Sequence, residues 1–251
     1  MSDARAPLSV VIPTLNAAAS LAPLLAPLAE GAAAGLVREV VIADGGSDDD
    51  IAALAEGVGA RFVAAPRGRG RQLSAGCAAA GGPWLLILHA DTRLPADWQG
   101  AVADHIEHHG AAAAYFRLRF DDRSAPARFV AGWANLRSRL FGLPYGDQGL
   151  LVPRPLYDRA GGYPEIALME DVVLVDAIRR TAGRGALRSL ATTVETSAER
   201  YRRDGWVKRG ARNLLTLLRW RLGADPEALA AAYEGRGRDR GLGQGQGRGG
   251  A

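Results

Sequence analysis

The 251-residue sequence has a single cysteine, Cys77, which excludes an intrachain disulfide and leaves no cysteine spacing for a metal cluster. Cys77 stands in an Ala-rich helical stretch and reads as a small apolar core residue. Long apolar runs are missing: the longest, residues 31–37 and 111–116, fall well short of the roughly 18–20 residues a bilayer-spanning helix needs. The opening MSDARAPLSVVIP shows no basic region, apolar core and small-residue cleavage site, which makes a cytoplasmic location the expectation. Charge of one sign is not abundant either. The 31 basic residues face 27 acidic ones, for a net charge of +4, so no nucleic-acid partner is expected. The basic excess is local to residues 200–221 and to the segment 235–251, GRGRDRGLGQGQGRGGA. That last segment is too rich in glycine and too poor in apolar residues to fold, and we expect a disordered tail there. It has no aromatic residue on which a base would stack.

What is present points to one α/β domain. Hydrophobic residues make up 48% of the chain and charged residues 23%, ample for a single domain placed at residues 1–234. Strand-like and helix-like segments alternate through the first half. Residues 8–12 read as a buried strand, 17–35 as an Ala/Leu-rich helix, 39–43 as a second strand and 49–57 as a second helix. Segments 61–65, a helix at 71–80 and a strand at 85–88 follow, with later helices at 125–141 and 172–181. Such alternation implies a mainly parallel central sheet with flanking helices on both faces and right-handed crossovers.

In an open parallel sheet, ligands bind beyond the carboxyl ends of the strands. The residues after each strand therefore carry the functional reading. Asp44, at the end of a buried strand, can accept hydrogen bonds from a ribose or a base N–H, and Gly45-Gly46 lets backbone approach a ligand closely. The plain alternative for DGGSDDD is a turn and a helix N-terminus capped by Ser47 or Asp48. Asp91, two residues after His89 in LLILHADTRLP, can reach a divalent cation held against a diphosphate. Mg²⁺ or Mn²⁺ needs only one or two protein carboxylates when phosphate supplies other ligands. Its alternative is a cap for the helix that begins near Pro95. Arg67-Gly68-Arg69-Gly70-Arg71-Gln72 opens a helix, and its Gly-spaced arginines either cradle phosphate or form a solvated loop. In HIEHH, His105 and His109 lie one turn apart, but Glu107 is displaced from their face, so a solvated helix end is expected rather than zinc.

VVIPTLN at 10–16, VVIADGGSDDD at 40–50, LHADTRLP at 88–95 and LMEDVVL at 168–174 together resemble the family 2 glycosyltransferases of the GT-A fold. The resemblance covers roughly residues 8–222. Through HADTRLP, GDQGLLV, GGYPEIALMED and TSAERYRRDGW the chain also looks like a bacterial subgroup sometimes linked to arsenosugar biosynthesis. The family likeness implies that Pro13, Thr14 and Asn16 border the nucleotide, that Asp44 binds the uracil or ribose, and that Arg69 or Arg71 meets phosphate. It implies that Asp91, matching the last acid of D-x-D, holds Mg²⁺ or Mn²⁺ against the diphosphate. Two positions depart from the pattern: Ala17 stands where the family often has glutamate, and His89 replaces the first acid of D-x-D. A neutral histidine is a poorer Mg²⁺ ligand, so His89 is expected to ligate Mn²⁺ or to orient Asp91 or a phosphate.

The second half is expected to supply the acceptor side, with Asp147 and Gln148 in a turn before an apolar strand and Glu170-Asp171 after a loop. Asp171 is the expected catalytic base, with Glu170 as a substitute, because displacement at an anomeric carbon needs a carboxylate to take the acceptor hydroxyl's proton. Both acids would otherwise serve the helix dipole. Residues 206–222 interleave Trp206, Leu214, Leu217, Leu218 and Trp220 with Lys208, Arg209, Arg212, Arg219 and Arg221. Such a helix either packs its leucines on the sheet domain or lies on an anionic membrane, where it would meet a lipid-linked acceptor. The expected partners are thus a nucleotide sugar, UDP-linked by expectation, and an acceptor that is a small molecule or lipid-linked. A sugar nucleotidyltransferase, which would want a Gly-rich loop after the first strand, and a noncatalytic nucleotide-sugar-binding protein are the alternatives.

Overall fold

The computed structural model describes residues 6–238. Near-continuous apolar segments become strands buried on both faces, as a helix-covered parallel sheet requires. The first half runs β1 (Leu8–Thr14), α1 (Ala18–Ala33), β2 (Val37–Asp44), α2 (Ile51–Gly57), β3 (Arg61–Ala64), α3 (Arg69–Ala79), β4 (Trp84–Ile87) and α4 (Trp98–His108). Then come β5 (Ala113–Phe120), α5 (Ala125–Phe141), β6 (Leu150–Pro153), α6 (Arg154–Arg159) and α7 (Glu170–Ala182). The chain continues through β7 (Leu187–Thr196), α8 (Glu199–Asp204), α9 (Trp206–Arg221) and α10 (Pro226–Arg238). Period-two alternation splits the core between the two faces of the sheet. Val10 and Ile12 join Leu21, Leu24 and Leu28 of α1 and Trp98 of α4. Val11 joins Leu73 and Cys77 of α3 and Leu174 and Ile178 of α7. Burial pushes the Cys77 thiol up to about 12, as expected of a core thiol.

The seven strands are ordered β3-β2-β1-β4-β6-β5-β7. β6 pairs antiparallel with both β4 and β5, whereas every other pair is parallel. Because β6 reverses once and β5 reverses again, β5 and β7 point the same way as β1, β2 and β4. With β3 parallel to β2, six strands therefore deliver their carboxyl ends to one edge, and β6 brings its amino end there. α5 is fixed by polar groups on its inner face: the Asn135 amide donates to the Leu118 carbonyl at 2.9 Å and accepts from the Leu118 N–H at 2.8 Å.

Several expected elements shift. The helix anticipated after Pro95 starts at Trp98, and α3 starts at Arg69, two residues earlier than position 71. α10 carries residues 235–238 as helix, because the Ala230–Ala232 run favours propagation into the first glycines. The rest of the expected tail, 239–251, lies outside the described residues. His105 is buried rather than solvated: its Nε2 lies 2.8 Å from the Ala112 carbonyl, and its ring meets Trp84 edge-on. Among the described residues, no helix is long and apolar enough to cross a membrane.

Candidate active site

The ends of β1 and β2 are stitched together. Asp44 accepts from the Thr14 hydroxyl at 2.9 Å, from the Ser47 hydroxyl at 2.5 Å and from the N–H groups of Gly46 and Ser47 at 2.9 and 2.8 Å. Burial raises its carboxyl, but these donors outweigh burial and hold it below the ordinary carboxylate value. Asn16, in the left-handed region at φ 50°, accepts from the Asp48 N–H at 2.8 Å. Neither Ser47 nor Asp48 caps α2, whose N-cap Asp50 makes no side-chain cap bond; instead Asp49 accepts from the Ala18 N–H at the start of α1. Gly45 packs closely on α3, where a Cβ would meet the Gln72 amide at 3.0 Å. That amide donates to the carbonyls of Thr14 and Ala43, tying α3 to the edge.

Beside this floor, a cleft of about 160 Å³ opens where β4, the turn before β6 and the amino end of α7 converge. His89, Asp91, Arg69, Asp147, Gly146 and Asp171 line one side. The space suits a group the size of one sugar ring, below the roughly 300 Å³ at which ligand pockets usually begin. A nucleoside diphosphate would have to extend out of it, along the edge where Pro13, Asn16 and Asp44 stand. Those residues and Thr14 do not line the cleft, nor does the exposed Arg71.

The Arg69 guanidinium bonds Glu170 and lies 3.4 Å from His89 Nε2. Burial, then the positive charges of Arg69 and Arg200, push His89 down to about 3, so its ring is neutral. Gly70 is a packing glycine: a Cβ would sit 2.4 Å from the Pro164 carbonyl oxygen and 2.6 Å from that of Ile166. This close contact presses the amino end of α3 against the loop that leads to α7. Met169, at φ 70°, turns that loop into α7. A left-handed methionine is strained, and such strain is tolerated where surroundings fix it.

Asp171 faces the cleft, while Glu170 does not. Asp171 accepts from the Gly146 N–H and the Val172 N–H, each at 2.8 Å, and each oxygen keeps a further lone pair. Glu170 is 1% exposed and is engaged with Arg69, which corrects its expected role as a substitute base: a carboxylate outside the cleft cannot reach an acceptor hydroxyl. Gln148 is also turned away from the cleft. It accepts from Ser138 at 2.5 Å and donates to the Phe116 carbonyl at 3.2 Å, packing the turn under α5. Asp147 stays at the cleft, with Oδ1 buried and without a hydrogen-bond partner among the described residues. Burial, opposed by Arg137 and reinforced by Asp171, raises its carboxyl to about 6.

The opposite wall escaped the sequence reading. Phe120 at the end of β5, Thr196 at the end of β7 with Ser197 after it, Arg200 and Tyr201 of α8, and Asn213 and Thr216 of α9 complete the cleft. Tyr201 stacks on Trp206 at 4.9 Å between ring centroids, and Phe120 meets both rings edge-on. TSAERY follows an alternating strand, and that strand-end position was the signal available.

No curated protein matches the chain. Among solved structures, glucosyl-3-phosphoglycerate synthase from Mycobacterium tuberculosis with Mn²⁺ and UDP-glucose is similar in fold, at 21% identity and a TM-score of 0.60, covering 87% of this chain and 79% of that one. The same synthase with Mn²⁺, UDP and glucosyl-3-phosphoglycerate aligns at 22% identity and a TM-score of 0.55, over 77% of this chain and 70% of that one. Residues 9–148, from β1 through the turn that carries Asp147, match the family described as glycosyl transferase family 2, and the chain belongs to that family.

Proposed function

We propose that this glycosyltransferase performs inverting transfer of a sugar from a UDP-linked donor to an acceptor hydroxyl, with Asp171 as base. The observation that carries the reading is that Asp91, in the loop after β4, and Asp171, in the first turn of α7, open into one cleft. Asp171 takes the acceptor hydroxyl's proton as that hydroxyl oxygen attacks the anomeric carbon. The bond to the diphosphate breaks on the far side, and the diphosphate leaves with the electron pair. Arg69, held by Glu170, would face that departing charge. Pro13, Thr14, Asn16 and Asp44 form the edge on which the nucleotide would lie.

The residues fit a divalent ion. Asp91 offers a carboxylate, and the unpartnered Asp147 oxygen offers a hard donor at the same cleft. Among the described residues, no group of three or more His, Cys, Asp or Glu is arranged to hold an ion. That sparse set agrees with Mg²⁺ or Mn²⁺ that takes its remaining ligands from diphosphate. When bound, the ion would neutralise charge on the leaving group. The fold relatives, which hold Mn²⁺ with UDP or UDP-glucose, support the same reading. So does the family resemblance of HADT.

The acceptor would enter along Thr196, Ser197, Arg200 and Tyr201, on the side away from β1 and β2. The likeness to the arsenosugar-linked subgroup names one acceptor class to try first, and a lipid-linked acceptor at the cytoplasmic face of a membrane is the other. UDP release from a panel of UDP-sugars with Mn²⁺ tests the reading. Release by wild type and its loss in Asp171→Asn supports a transferase; donor binding without any release would support a noncatalytic sugar-nucleotide binder instead.

A further inference from the structure

α5 packs with its small side chains inward and its large ones outward. Ala127, Ala131, Ala134 and Ser138 are buried, while Phe129, Trp133, Leu136 and Leu140 face out, Phe129 at 78% and Leu140 at 63% exposure. Spacings of four, three and four residues place these four on one helical stripe. A helix that only needed to cover the sheet would place its large residues inward. Asn135, bonded to both backbone groups of Leu118, and Ser138, bonded to Gln148, fix α5 in this orientation. α9 contacts α5 and also turns large residues outward, with Val207, Leu214 and Leu218 exposed at spacings of seven and four and Leu215 and Leu222 beside them.

The charge around the apolar stripes is positive on balance. Neither α5 nor α9 contains an aspartate or glutamate, and Arg128, Arg139, Lys208 and Arg219 are exposed on them. Next to α5, Arg117, Arg139 and Arg179 line one hollow with Leu136 and Leu140. Next to α9, Arg179, Arg180 and Arg221 line another with Trp220 and Asp176, which pairs with Arg221 at 2.7 Å, so three cations there face one acid. A second copy of the chain docked symmetrically on this face would bring arginines against arginines. A lipid surface with phosphate headgroups matches both the apolar stripes and the surrounding cations.

We infer that the outer faces of α5 and α9 form a docking surface for an anionic lipid bilayer. The inner face of α9 contributes Arg209, Asn213 and Thr216 to the cleft. Docking therefore sets the acceptor wall about one helix diameter, roughly 10 Å, from the headgroups. The docking stands apart from the transfer chemistry and is measured without donor.

Cosedimentation of the full chain with vesicles of phosphatidylcholine alone, or mixed with phosphatidylglycerol, tests it. Wild type should pellet with the mixed vesicles at low salt, be released at high salt and ignore the neutral vesicles. Trp133→Ser with Leu218→Ser should lower partitioning at least tenfold, and Arg139→Glu or Lys208→Glu should lower it about fivefold or more. These side chains are exposed, and circular dichroism would check that the variants remain folded. Absence of binding to mixed vesicles, or binding unchanged in the variants, would overturn the inference. So would a wild-type dimer in analytical ultracentrifugation that the Trp133→Ser/Leu218→Ser variant converts to monomer, since the face would then be a subunit contact.

Discussion

The Asp171 carboxylate accepts a hydrogen bond of 2.8 Å from the Gly146 N–H, 25 residues earlier in the chain. This bond joins the turn that carries Asp147 to the first turn of α7, so a cleft built from distant segments has a fixed width. Asp171→Asn keeps an oxygen for Gly146 and removes the proposed base. Transfer should fall by about 10²–10⁴-fold, with the melting temperature nearly unchanged. Asp171→Ala also loses the tie and should cost about 1 kcal/mol of stability. Transfer rates and urea unfolding of the two variants separate the roles; an Asp171→Asn enzyme near wild-type rate would remove Asp171 from the chemistry.

Arg69 and Glu170 depend on each other. Glu170 is almost fully buried, and its Oε2 already lacks a partner among the described residues. Arg69→Ala would leave the other oxygen unpaired too, at a cost of roughly 1–3 kcal/mol. The figure is held at that range because the arginine side chain is 37% exposed and partly screened. Urea unfolding would show it, and an unchanged midpoint would mean that the pair carries no weight in the fold.

Gly70 tests whether the Arg-Gly-Arg-Gly-Arg stretch is built for packing. A Cβ would collide with two backbone carbonyls of the loop before α7. Gly70→Ala should therefore destabilise by about 1–3 kcal/mol, even though alanine is the better helix former. A stabilised variant would show that the loop yields freely.

Asp44 gives a pH dependence with a defined sign. Its folded carboxyl is held below the usual 3.8 by donors from Ser47, Thr14 and Gly46, against the opposing effect of burial. A depressed folded value means that its contribution is present above about pH 3.8 and fades as pH falls through the folded value. Asp44→Asn should then be less stable than wild type at neutral pH, with the gap closing in acid. Thermal melts across that range check it; a gap that stays constant would mean that ionisation of Asp44 does not matter. Separately, UDP affinity in Asp44→Ala should drop by an amount on the order of 1–3 kcal/mol if the edge binds nucleotide.

The edge of the sheet was legible because local signals coincide there. The buried runs end in PTLN, DGG and HAD, and a parallel sheet places those ends side by side. The identity of the contacts was not legible. Glu170 meets Arg69 across 101 positions, and nothing in either short segment reports the partner of the other. β6 is short and wholly buried, so its composition carries no sign of its antiparallel sense. The wall from Thr196 to Tyr201 depended on that reversal, which returns β5 and β7 to the common edge. Hydrophobic periodicity likewise placed a helix at 125–141 without showing which stripe faced the sheet. The inner face was decided by small residues and by Asn135.

A nucleoside diphosphate held at the β4 end through Asp91 and a divalent ion is the central element of the proposed mechanism. Calorimetric titration of UDP into wild type, Asp91→Ala and Asp171→Asn, each with and without Mn²⁺, tests it most directly. Wild type and Asp171→Asn should bind UDP alike and more tightly with Mn²⁺, whereas Asp91→Ala should lose at least tenfold in affinity, about 1.4 kcal/mol, along with the Mn²⁺ effect. Equal Mn²⁺-dependent affinity in wild type and Asp91→Ala would contradict it.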